Sequence, residues 1–247
     1  MFKTLVLSGG ALKGISILGA LLSCEQQNFL NNIEIYIGTS IGAIICFLLT
    51  FSIKPYNIYQ ELLGYNIFFK ISLARSEDET QGLLDTEVMF QIVEKMIKII
   101  NFKELTFAEH YELTKKYLII TSFNLSTCKE ETFSYFNTPN MSIYEHLKRT
   151  SGIPIIFNTN KKFIDGGIWN NFPISYAKEY DNVLGITTTK YIDKRHFIIN
   201  LQDYQDKFIL LCSRKQKYAL FLSGYKSACG QIKIYKNKLG RKRRNTI

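Results

Sequence analysis

The chain has 247 residues and a formal charge of +10, with 46% hydrophobic and 21% charged residues. That is enough apolar material for one large core or two small ones, and it excludes a disordered or collagen-like chain. The five cysteines, Cys24, Cys46, Cys128, Cys212 and Cys229, are scattered, odd in number and form no C-x-x-C pair, which argues against a disulfide framework or a zinc site and points to a reducing, cytoplasmic setting.

Phe2 to Leu7 reads as a short buried strand, stopped by Ser8-Gly9-Gly10. Lys13 to Gln27 reads as a helix, Ile33 to Ile37 as a second strand and Ala43 to Phe51 as a second helix. Two stretches imitate targeting segments. Thr4 to Ser23 resembles a signal peptide, but Lys13 and Gly9-Gly10 interrupt it. Ile35 to Ile53 is uncharged over a membrane-spanning length, yet strand, turn and buried helix account for it better. We therefore expect no signal peptide and no transmembrane helix.

A helical stretch follows Pro55 to about Leu63, then a polar loop from Ser76 to Gln81. Asp85 is placed to cap a helix reaching about Ile100. Tyr117 to Ser122 and Glu131 to Phe136 read as paired strands, and Ser142 with Glu145 as a capping box for a helix to Thr150. Phe163-Ile164 is a short strand ending at Asp165-Gly166-Gly167, and Asn182 to Thr187 is another. Strands alternating with helices predict an α/β fold with a central, mainly parallel sheet covered by helices. The expected division is a catalytic domain over residues 1–190, followed by a basic, mainly helical extension over 191–247.

Three motifs carry chemistry. Gly38-Thr39-Ser40-Ile41-Gly42, between a strand and a helix, is a G-x-S-x-G nucleophile elbow. Such a turn exposes the serine hydroxyl at its apex, and the following helix points its N–H groups and positive dipole end toward it. Gly9-Gly10-Ala11-Leu12-Lys13-Gly14 opens the first helix. The order Lys-Gly does not fit a P-loop, and Ala11 replaces the middle glycine of a dinucleotide fingerprint. An oxyanion hole built from N–H groups of Gly9, Gly10 and Ala11 is the remaining reading. Asp165-Gly166-Gly167 is either a plain turn or a carboxylate at a strand end, where it could serve as the base that a serine nucleophile needs.

Together these residues resemble the patatin-like phospholipase family. Asn171-Phe172-Pro173 adds to the match, with weaker echoes in Gly82-Leu83-Leu84-Asp85-Thr86, Leu105-Thr106-Phe107 and Thr150-Ser151-Gly152-Ile153-Pro154. The resemblance covers roughly residues 1–190 and implies a three-layer α/β/α fold. It implies Ser40 as nucleophile, Asp165 as its base in a Ser–Asp dyad, and hydrolysis of a lipid acyl ester, of phospholipase A or lysophospholipase type, through an acyl-enzyme without metal or cofactor. Lys13, Gly14, Gly38, Gly42, Gly166 and Gly167 are implied as supporting motif positions. The rival reading is a non-catalytic lipid-binding protein that kept the fold. A Ser-His-Asp triad through His196 is disfavoured because only one strand precedes the elbow, whereas α/β-hydrolases place several there. Phe68, Phe69 and Ile71 are acyl-channel candidates no better than core candidates.

The charge is uneven. Residues 188–247 hold 15 Lys/Arg against 3 Asp/Glu, a net +12, so the rest of the chain is near −2. The run Arg241-Lys242-Arg243-Arg244 is either a solvated tail or a contact for anionic membrane lipids. No nucleic-acid partner is expected.

Overall fold

The computed structural model describes residues 1–64, 86–99, 101–151, 163–201 and 213–244. The sheet has seven strands: β1 (Thr4–Leu7), β2 (Ile35–Thr39), β3 (Tyr117–Asn124), β4 (Lys129–Ser134), β5 (Phe163–Asp165), β6 (Val183–Thr187) and β7 (Phe197–Asn200). Their order is β4-β3-β2-β1-β6-β7, with β5 beside β3. β3, β2, β1, β6 and β7 are parallel, while β4 and β5 run antiparallel to β3. β1 and β6 are buried along their whole lengths, as expected of central strands covered on both faces.

Among the described residues seven α-helices accompany the sheet: α1 (Gly14–Gln26), α2 (Ile41–Thr50), α3 (Pro55–Gly64), α4 (Thr86–Ile97), α5 (Phe107–Thr114), α6 (Ile143–Thr150) and α7 (Arg214–Arg244). The larger core joins Leu5, Leu7 and Ile120 of the sheet to Ile17, Phe47 and Leu147 of the helices. The opposite face is covered by Phe172, Ile174 and Ala177, which pack on Val6, Ile37, Ile119 and Val183.

The predicted elements before residue 64 are found within two residues of their expected ends. Three details differ. The reciprocal capping box is at Thr106 and Glu109, starting α5. Ser142 accepts from the Glu145 N–H and donates its own hydroxyl to Lys103 O. The segment after residue 190, expected to be helical, first supplies β7, whose Phe197-Ile198-Ile199 run suits a pleated surface. Phe68, Phe69, Ile71, the Ser76–Gln81 loop, Asp85, Ile100 and the motif residues 82–84 and 152–154 lie outside the described residues.

α7 lies along α1. Ser16 meets Gly224, Ser23 Oγ meets Cys229 Sγ at 3.2 Å, and Lys236 Nζ donates to Gln27 Oε1. Both sequences ascend together, so the two helices run in the same direction. α1 descends from the carboxyl ends of the strands toward their amino ends, and α7 continues past it. The 31 residues of α7 span about 46 Å against about 20 Å for the 13 of α1. The last turns of α7 therefore project from the amino-end pole.

Close approach at this crossing depends on two glycines. A Cβ at Gly224 would sit 1.9 Å from Ser16 O, and one at Gly19 would sit 2.0 Å from Phe221 O. Both obstacles are backbone, which cannot rotate away. Gly224→Ala is expected to force the helices apart and lower unfolding free energy by about 1–3 kcal/mol in urea titration. Gly230→Ala on the same helix, where an added Cβ would meet nothing within 4 Å, should be neutral or stabilising.

Candidate active site

The elbow is set by sheet register. β2 ends with Thr39 opposite Thr121 of β3, and the chain then leaves the sheet at Ser40. The next residue of β3, Ser122, pairs with Asp165, which arrives on β5 from the opposite direction. Ser40 and Asp165 thus occupy neighbouring positions at the carboxyl end of the sheet. Ser40 Oγ donates to Asp165 Oδ2 at 2.5 Å.

Ser40 has φ 52° and ψ −132°, a backbone state that costs a side-chain-bearing residue about 1–3 kcal/mol. Its surroundings hold it there. Its N–H donates to Thr150 Oγ1 at 2.8 Å, and Thr150 Oγ1 donates to Thr121 O at 2.5 Å. Gly42 lets α2 start against the end of β1, since a Cβ there would lie 2.4 Å from Ser8 O. A Cβ on Gly38 would strike Ala43 N at 2.6 Å, and one on Gly14 would strike Ile41 Cγ1 at 2.5 Å.

Asp165 is buried, at 4% exposure. Its Oδ1 accepts from Gly167 N–H at 2.6 Å, and Gly166 packs against Thr39 Oγ1. Burial pushes its carboxyl up to about 6, although the hydrogen bonds from Ser40 and Gly167 pull it down. A group with that value is ionised at neutral pH and has more proton affinity than an exposed aspartate.

The glycine loop lies beside the serine. A Cβ on Gly9 would approach Ser40 Cβ to 3.2 Å. However, the Gly9 N–H already donates to Asn171 O at 2.9 Å, so Gly9 is not available as an oxyanion donor. The Gly10 and Ala11 N–H groups have no acceptor among the described residues. Gly10 has φ 156° and Ala11 φ 47°, which places alanine in the left-handed region. The Lys13 N–H closes the turn on Gly10 O at 2.8 Å. Thr188 fixes the loop by donating its hydroxyl to Gly9 O at 2.9 Å and its N–H to Ser8 Oγ at 3.0 Å. Asn171 is packed between Gly9 and Gly167, so it links the loop to the Asp165 turn.

Thr150, Thr188 and Ser8 carry no signal of their role in the sequence. That role comes from side-chain bonds to backbone across 110 to 180 residues, for which no local pattern exists. The histidines are engaged elsewhere. His110 bonds Thr50 and His146 bonds Ser142 O, and burial pushes both rings down to about 4. His196 Nδ1 bonds Asp193 Oδ2 at 2.7 Å. Among the described residues no cluster of three His, Cys, Asp or Glu could hold a metal ion, and no helix is long and apolar enough to cross a membrane.

Residues 5–178 match the family model described as patatin-like phospholipase. The chain is 43% identical over 190 residues to "Probable lipid hydrolase 463L" of Invertebrate iridescent virus 6, covering 73% of this chain and 65% of that protein. It thus spans about two thirds of that relative's length. It is 27% identical over 255 residues to "Uncharacterized protein R571" of Acanthamoeba polyphaga mimivirus, covering 94% and 83%. Among solved structures it is similar to VipD from Legionella pneumophila, with TM-score 0.67, 15% identity and coverage of 94% of this chain and 67% of that one. It is also similar to ExoU, in the ExoU–SpcU complex of Pseudomonas aeruginosa, with TM-score 0.57, 17% identity and coverage of 94% and 51%. These structures share the α/β fold, and the match of the family model over most of the chain shows that it belongs to the patatin-like phospholipase family.

Proposed function

We propose that the chain is a lipid acyl hydrolase of phospholipase A or lysophospholipase type, working through a Ser40–Asp165 dyad. The observation that carries this reading is the 2.5 Å bond from Ser40 Oγ to a buried carboxylate, next to two N–H groups without acceptors. The family and the name of the viral relative support a lipid ester as substrate.

Asp165 takes the hydroxyl proton as Ser40 Oγ attacks the ester carbonyl. The carbonyl π electrons move to oxygen, and the Gly10 and Ala11 N–H groups stabilise that oxyanion, aided by the positive end of α2. Collapse of the tetrahedral intermediate breaks the ester C–O bond, and Asp165 returns the proton to the departing alcohol. Water then attacks the acyl-enzyme, giving one proton to Asp165; collapse of this second intermediate breaks the Ser40 Oγ–acyl bond, Asp165 returns the proton to Ser40 Oγ, and the fatty acid departs. The Ser40 N–H, held by Thr150, stays outside the hole.

A membrane contact through the basic C-terminus, one of the two readings of that run, would not serve this chemistry directly. Ser40 is at the carboxyl ends of the strands, and the basic end of α7 extends from the amino ends. A flat bilayer touching that end would leave the mouth turned away.

Ser40→Ala should abolish release of fatty acid from phospholipid and from an activated ester, and equal rates in both proteins would overturn the enzyme reading. Asp165→Asn should lower kcat/KM by about 10²–10⁴-fold, whereas His196→Ala should keep it. In the wild type, kcat/KM should fall below about pH 6 as Asp165 gains its proton.

The same residue predicts an opposite effect on stability. Its carboxyl is raised in the fold from 3.8 to about 6, so the native state holds the proton more tightly. Stability is therefore lost as pH rises through this window, on the order of 3 kcal/mol above it. Asp165→Asn should unfold at higher denaturant than wild type at pH 8, with the difference vanishing near pH 4.

A further inference from the structure

A cavity of about 600 Å³ lies at the amino-end pole, between the start of β7 and the last turns of α7. That volume falls within the range of sites that hold a small-molecule ligand. It is on the far side of the sheet from Ser40, so it takes no part in the ester chemistry.

Its lining has two halves. The apolar half combines the Phe197–Tyr235 stack, with ring centroids 4.1 Å apart, and three aliphatic side chains left in solvent: Ile192 at 79% exposure, Ile234 at 56% and Leu239 at 43%. These side chains give the cavity an apolar wall on which a ligand's hydrocarbon could lie. The polar half is cationic. Lys194, Arg195 and Lys238 line it. The carboxylate in the lining, Asp193, is already occupied by the N–H groups of Arg195 and His196 and by the His196 ring. Arg195 is tied to Asp181 and Lys178 O. His196 also lines the cavity. Its side chain is 3% exposed, and its Nε2 is buried without a hydrogen-bond partner. α7 adds no countercharge, since Arg214–Arg244 contains no Asp or Glu.

We propose that this cavity is a second, non-catalytic site for an anionic amphiphile, its chain on the aliphatic half and its anion on Lys194 and Lys238, beside the His196 ring. A long-chain carboxylate is the ligand we assign. That assignment rests on the reading of Ser40 and Asp165 as an acyl-ester hydrolase, which releases such an anion; the cavity and its lining do not. A bilayer is a poorer occupant because seating one here turns the catalytic mouth away. Product bound at this pole leaves the mouth open.

The test uses the full-length Ser40→Ala chain, which removes turnover. Oleate below its aggregation threshold, oleyl alcohol and inorganic phosphate are titrated by calorimetry, with the His196 ring followed by ¹⁵N NMR. Oleate should bind and shift the signals of the His196 ring, which lines the cavity, with the alcohol and phosphate each at least tenfold weaker. Lys194→Gln/Lys238→Gln should weaken oleate at least tenfold, as should Ile192→Ser/Ile234→Ser. All four positions are on the surface, and unchanged circular dichroism confirms the fold. Full affinity in the lysine variant, phosphate binding as tight as oleate, or an oleate response that leaves His196 unmoved would each overturn the site. Oleate binding here with no esterase activity in the wild type would support the cavity and sink the catalytic reading and its product assignment.

Discussion

The structure turns on one constraint: a single strand, β3, accepts two partners on the same edge from opposite directions. β2 pairs with it up to Thr121, and β5 takes over at Ser122. The chain leaving β2 must turn out of the sheet at that point, because β5 occupies the continuation. That turn is Ser40, and the residue that displaces it is Asp165. Ser40 and Asp165 are thus neighbours by ladder register, fixed by backbone hydrogen bonds on both sides. Parallel pairing with β1 then places the glycine loop at the same level, since Leu7 is in register with Gly38.

Holding a serine and a carboxylate there works against stability in two ways. Ser40 sits in a backbone state that favours glycine, and Asp165 is stripped of water with two hydrogen bonds in return. The surrounding bonds offset this: Thr150 ties the Ser40 N–H to β3, and Asn171 and Thr188 tie the glycine loop to the rest. Ala11 belongs to the same account. It adopts φ 47° where glycine would be unstrained, and the closed turn from Lys13 N–H to Gly10 O keeps it there. The geometry that leaves its N–H without an acceptor is the geometry that the turn enforces.

Much of this is legible in the chain because the motifs are local. Three short segments point to Ser40, Asp165 and the glycine loop, which the fold brings together, and apolar runs mark the central strands and helices. What is not legible depends on distance. That Gly9 spends its N–H on Asn171 follows from a contact across 162 residues, not from the glycine run. β7 is hidden because its four residues follow Lys194 and Arg195, in a stretch whose charge dominates the reading. Thr150, at the end of α6, looks like any helix terminus until β3 is beside it.

The two poles of the molecule differ: Ser40 and Asp165 lie at the carboxyl ends of the strands, and the end of α7 lies at the amino ends. α1 and α7 run side by side and in the same direction, so the run 241–244 at the end of α7 lies at the amino-end pole, while Arg214, Lys215 and Lys217 stand in its first turn. Parallel alignment places the helix dipoles unfavourably, and the close glycine crossing compensates by packing. The arrangement also separates fields. Asp165 is buried, and a strongly basic helix end near it would lower its proton affinity. Extending α7 by more than twice the length of α1 puts that charge on the order of several Debye lengths from the dyad at physiological salt, so the carboxylate's value is set by burial and its two hydrogen bonds.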